Sequence, residues 1–151
     1  MAKAKASKKK KKDKVKKRQY AFVTGKRKTA VARAKVEKGH GKVTINSRPM
    51  RLWGNEVMRL WIKEPLVIAS DLLKSVNITI KVQGGGIASQ AEAIRISIAR
   101  GLVAFSKDKK LRERFMEHDR NLLVFDPRRN EPHKPSRSRK GPRRHKQRSK
   151  R

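Results

Sequence analysis

The stretch VNITIKVQGGGIASQAEAIRISIARGLVAF, residues 76–105, decides the fold. Its opening alternates: Val76, Ile78, Ile80 and Val82 are apolar, while Asn77, Thr79, Lys81 and Gln83 are polar. A two-residue period is that of a strand with one buried face. Gly84-Gly85-Gly86 ends the strand. Beyond it Ile87, Ala91, Ile94, Ile98, Leu102 and Phe105 recur at spacings of four and three, one apolar stripe along a helix. Ser89 with Glu92 three positions on has the spacing of a capping box. Arg95 and Arg100 fall off the stripe and are expected to face outward. The helix should pack its stripe on the sheet.

Upstream, residues 20–46 read as β structure. Tyr20, Phe22 and Thr24 suggest an early strand, which Gly25-Lys26-Arg27-Lys28 breaks with a basic loop or bulge. Ala30, Ala32, Ala34 and Val36 then alternate with Val31, Arg33, Lys35 and Glu37. Gly39-His40-Gly41 marks a reversal before Val43 and Ile45. Residues 54–63 and 65–74 predict two short helices, with Pro65 in the first turn of the second. Downstream, residues 108–118 predict an amphipathic helix with Leu111 and Phe115 inward, and Leu122–Phe125 a last short strand. The expected class is α+β: a compact sheet with helices packed on one face.

Charge divides the chain into three. The 151 residues hold 44 Lys and Arg against 12 Asp and Glu, a net charge of +32. Residues 1–18 carry 11 bases and one acid, and residues 127–151 carry 12 bases and one acid. The expected organisation is a basic arm over 1–18, disordered in isolation, a globular RNA-binding domain over 19–126, and an extended Arg-rich tail over 127–151. Neither end has the apolar surface to offset the entropy of ordering. Pro127, Pro132, Pro135 and Pro142 keep the tail from forming a continuous helix. Fully stretched, its 25 residues span at most roughly 85 Å.

Such a surplus calls for a polyanion, whose phosphates relieve the repulsion and release condensed counterions. A membrane surface is a weaker match: aromatics make up only 5% of the chain, and no run is apolar enough to span a bilayer. The basic start lacks the apolar stretch of a secretory signal. Absent cysteine removes disulfides and thiolate metal sites. His40, His118, His133 and His145 are scattered without ligand spacing. Asp119 and Asp126 neighbour arginines, so ion pairing explains them more simply than catalysis. No enzyme activity, cofactor or metal is expected.

Two features point at RNA. Lys26, Arg27 and Lys28 sit between β segments, where a scaffold can hold their charges, and Arg33 and Lys35 extend that patch, joined by Arg48 and Arg51. Gly84–Gly86 admits two readings, close packing or a backbone phosphate contact; it lacks the full glycine pattern of either nucleotide-binding loop.

Four motifs, in order, carry a resemblance. They are Gly25-Lys26-Arg27-Lys28-Thr29-Ala30; Gly84-Gly85-Gly86 with Gln90 and Ala93-Ile94-Arg95; Asp119-Arg120 through Asp126-Pro127-Arg128-Arg129; and Gln147-Arg148-Ser149-Lys150-Arg151. Together they resemble the family of the universal ninth protein of the small ribosomal subunit, in its archaeal and cytosolic-eukaryotic form. Two places depart from the pattern: the segment Pro132–Ser136, and Arg148, where bacterial-type endings carry an aromatic.

The resemblance implies a fold like the second domain of ribosomal protein S five. It implies a cytoplasmic structural protein that binds ribosomal RNA in the head of the small subunit, beside neighbouring small-subunit proteins. Lys26, Arg27, Lys28, Arg33, Lys35, Arg48, Arg95 and Arg100 are the expected RNA-binding residues of the globular part. Arg128, Arg129, Arg137, Arg139, Lys140, Arg143, Arg144 and Arg148 would hold the tail in RNA. Lys150 and Arg151 would reach peptidyl-site transfer RNA. The alternatives are a general nucleic-acid condenser and a transient ribosome-assembly factor.

Overall fold

The structure, a computed structural model, describes residues 20–128, 131–135, 137 and 140–142. Strands β1 (Tyr20–Arg27), β2 (Ala30–Lys38), β3 (Val43–Ile45), β4 (Arg48–Pro49) and β5 (Val76–Gln83) form one sheet in the order β1-β2-β5-β3-β4. Helices α1 (Glu56–Ile68) and α2 (Ser70–Leu73) connect β4 to β5, and α3 (Ile87–Ser106) and α4 (Lys109–His118) follow. β2 runs antiparallel to both β1 and β5, whereas β3 is parallel to β5. The mixed α+β architecture matches the expected class.

Alternation decides the layers. Ala30, Ala32, Ala34 and Val36 of β2 and Val76, Ile78, Ile80 and Val82 of β5 are buried on one face. Helix α3 packs across that face against β1, β2 and β5, and α1 packs against α3. The small alanines of β2 let the helix approach closely. Full burial of each isoleucine contributes about 1.5–3 kcal/mol, and Ile45, Ile62, Ile78, Ile80, Ile94 and Ile98 are all fully buried.

Several local expectations need correction. Gly25-Lys26-Arg27 does not break β1; all three lie within it, and only Lys28 and Thr29 form the turn, with Arg27 opposite Ala30. Gly25 belongs there because α3 crosses directly over it: a Cβ would lie 2.2 Å from Ala93 O and 2.7 Å from Ser97 N. Pro65 does not start a helix but sits buried inside α1, which continues to Ile68. Leu122–Phe125 is not a strand. Arg120–Leu122 is a single 3₁₀ turn with Asp119 as its cap.

The capping box is also absent. Helix α3 starts at Ile87 with Gly86 as N-cap, Ser89 lies inside it, and no side chain caps it. Glu92 instead turns toward Arg27. The Gly39–Gly41 reversal does not join neighbouring strands, because β5 lies between β2 and β3. The chain steps past the start of β5, where the Asn77 side-chain oxygen accepts from His40 N and Lys42 N.

Candidate nucleic-acid interface

Three sequence motifs far apart in the chain meet at one corner. The Lys28-Thr29 turn abuts the glycine loop: a Cβ on Gly84, whose φ is +76°, would lie 2.7 Å from Thr29 O. Gln90 braces that loop by donating from its side-chain amide to Gly84 O at 3.0 Å. The geometry supports the close-packing reading for Gly84 and Gly85, whereas a Cβ on Gly86 would meet nothing within 4 Å. At the same corner Arg27 forms ion pairs with Glu92 of α3 and with Asp126 at the root of the tail. Asp126 Oδ1 accepts from Arg128 N at 2.9 Å, fixing the direction in which the chain leaves.

The basic run is thus split by strand geometry. Lys26 points to the uncovered face of the sheet and is exposed; Lys28 is exposed at the turn, with φ +51°. Arg27 points to the helix side and its side chain is only 19% exposed. Side chains alternate across a strand, so three consecutive cations cannot share one surface. Two are presented outward, and the middle one fastens the tail.

Arg95 and Arg100 are not outward either. Arg95 Nη2 donates to Glu64 at 3.0 Å and to Asp119 at 2.7 Å, and its Nε lies 2.6 Å from Glu64 Oε2, a charge contact out of line for a hydrogen bond. His118 Nε2 meets the same Glu64. Arg100 donates to Leu123 O through Nε and Nη2, at 3.0 and 2.8 Å, and to Thr24 O through Nη1 at 3.2 Å. It clips the segment before the tail to the outer edge of β1. Glu92 of α3, Asp119 just after α4 and Asp126 at the tail root share a small cleft of about 80 Å³, bordered also by Arg27 and Arg95. With every acid in it engaged by arginine, the cleft joins elements and leaves no free base for catalysis.

Of the other expected contacts, Arg33, Arg48, Arg128, Arg137 and Lys140 are exposed. The Arg128 side chain is 82% exposed, with its Nε 3.4 Å from Asp126 Oδ1. Lys35 is partly covered: it pairs with Glu37 at 2.7 Å and lies 5.9 Å from the centre of the Tyr20 ring. Arg129, Arg139, Arg143, Arg144, Arg148, Lys150 and Arg151 lie outside the described residues, as does the arm over 1–18. Among the described residues after Asp126 there is neither helix nor strand.

Some contributors escaped sequence reasoning. Lys81 stands directly opposite Arg33 on the uncovered face. Its place in the alternating polar positions of residues 76–83 was visible, but the pairing of β2 with β5 was not. Among the described residues, no cluster of three His, Asp or Glu could hold a metal ion, and no helix is long and apolar enough to cross a membrane.

Comparison with known proteins agrees with the motifs. A family profile described as Ribosomal protein S9/S16 matches residues 25–151. A protein of Methanococcus maripaludis strain C7, named small ribosomal subunit protein uS9, is 44% identical over 125 residues, covering 83% of this chain and 93% of its own length. The protein of the same name from Methanococcus vannielii is 42% identical over the same shares. With the hairpin, glycine loop and tail root assembled as these motifs require, the chain belongs to the ribosomal protein S9/S16 family.

Proposed function

We propose that the protein is a structural component of the small ribosomal subunit, acting in the cytoplasm, whose globular part registers on ribosomal RNA in the subunit head and whose tail reaches peptidyl-site transfer RNA. The globular part would share the fold of the second domain of ribosomal protein S five. The observation that carries the reading is the convergence of Lys28, the glycine loop and the pinned tail root at one corner. It gives the basic tail a fixed point of departure.

On this reading Lys26, Lys28, Arg33, Lys35 and Arg48 contact RNA from the folded part, neighbouring small-subunit proteins share the site, and Arg27, Arg95 and Arg100 hold the scaffold. Arg128, Arg129, Arg137, Arg139, Lys140, Arg143, Arg144 and Arg148 bind along the tail. Phosphate contacts dominate the affinity and RNA shape the specificity. Arginine suits the tail because its planar fork meets phosphate in two places and also stacks on bases.

Removal of Lys150 and Arg151 tests the tip. Subunits should assemble normally yet hold peptidyl-site transfer RNA less well when it is limiting. Unchanged retention would refute the role assigned to the tip.

A further inference from the structure

Among the described residues, one face of the sheet is covered by helices and the other by no helix or strand. On the bare face Arg33 of β2 and Lys81 of β5 are directly opposite one another. Neither has an ion-pair partner among the described residues. Like charges directly across a strand pair are destabilising. An anion set between them reverses the sign of that interaction.

A depression lies at this point. It measures about 390 Å³ and is bordered by Arg33, Asn46, Ser47, Lys81, Val82 and Gln83. Its wall is a built turn. Asn46 and Ser47 hold left-handed backbone, φ +48° and +66°, a conformation that Asn tolerates and Ser adopts at a cost. The Asn46 side chain fixes it, accepting from Val82 N at 2.9 Å and donating to Val82 O at 3.1 Å. The cavity is therefore held open by structure.

Aromatic rings lie on the same face, on the far side of β2 from it. Tyr20 and Phe22 on β1 are each 62% exposed on the same bare face. Thr24 is opposite Arg33 and Phe22 is opposite Lys35, so Phe22 is the diagonal neighbour of Arg33, roughly 7–8 Å away. One nucleotide can bridge that separation. Lys26 and Lys35 border the same face, and its acid Glu37 is already paired with Lys35. The occupant must be anionic and must offer a flat apolar surface. A duplex hides its base faces; an unpaired strand displays them.

We infer that the bare sheet face holds an unpaired segment of RNA, with one phosphate between Arg33 and Lys81 and the adjoining base stacked on Phe22. The inference rests on the RNA-binding reading above and names the surface and the form of RNA it takes.

Two measurements test it. The first is ultraviolet crosslinking of native small subunits containing the full chain, followed by peptide mapping. The segment Gln19–Lys26 should carry a nucleotide joined at Phe22 or Tyr20, and that nucleotide should be unpaired in the RNA. A base-paired nucleotide, or a protein neighbour, on this segment would overturn the inference.

The second is binding of the full chain to a short poly(A) strand. Phe22→Ala should weaken binding about tenfold, while Phe22→Trp keeps it. The pair Arg33→Gln with Lys81→Gln should lower the salt slope by about two. These side chains lie outside the core, so none of the variants should unfold at a lower temperature, and relief of the Arg33–Lys81 repulsion should if anything raise it for the double Gln variant. If all variants bind like the natural chain, the inference fails and the broader RNA reading stands. If the natural chain has no affinity for RNA, both fail.

Discussion

Arg27 and Asp126, one in the first hairpin and the other at the root of the tail, form an ion pair with side chains 19% and 10% exposed. The contact joins the start of the fold to the acid that immediately precedes the basic tail. Glu92 of α3 completes it from the other side. A loose tail would lose direction within a few residues; one fastened at Asp126 begins its path at a set place and angle.

Arg27→Gln and Asp126→Asn should therefore be coupled. Each alone removes a charge from a partly buried pair, and a double-mutant cycle read by thermal unfolding should give a coupling of about 1–3 kcal/mol. Protease cleavage after Arg128 should speed up in either variant, while the core unfolds cooperatively. Strict additivity would show that the pair does not bind the tail root.

Gly25→Ala should destabilise the fold by about 2 kcal/mol or more, because the added methyl meets backbone of α3 and not a side chain that can turn aside. Chemical denaturation of the purified chain checks this. Stability equal to the natural protein would mean that α3 lies farther from β1 than described.

Lys26→Gln and Lys28→Gln should each reduce the salt slope of RNA binding by about one and leave stability within about 0.5 kcal/mol, since both side chains are exposed. Arg27→Gln should do the reverse, with a stability loss and little change in slope. Equal slope losses for all three would contradict the split of the basic run across the strand.

Phe115→Ala should cost about 3–5 kcal/mol. Phe115 is fully buried, and it holds α4 to the core together with Leu111. A loss below about 1 kcal/mol in calorimetry would place α4 outside the cooperative unit.

Local periods were the legible part of the sequence. Residues 76–105 announced strand, turn and helix because each pattern persists over several repeats. Alternation in β2 likewise fixed its buried face. What failed was decided by distant partners. Gly25 looks like a breaker until α3 is seen crossing it, and Ser89-Glu92 looks like a cap until Glu92 meets Arg27. A single stripe implied one buried side of α3, yet Ala93, Ile96 and Ala99 are buried as well. Besides the sheet, the helix meets α1 and the segment after α4, so arginines off the stripe meet protein. At the interface, exposure of Arg33 followed from alternation in β2 and that of Lys28 from its place in a basic loop; Lys26 was read into the same loop although it lies in β1, and the opposition of Arg33 and Lys81 required the pairing of β2 with β5.

Crosslink mapping from Lys28 and from Arg151 in intact small subunits tests the central claim most directly. Lys28 should mark ribosomal RNA beside the folded part, and Arg151 should mark a distant position at the backbone of peptidyl-site transfer RNA. A tail tip that reaches neither ribosomal nor transfer RNA would contradict the account.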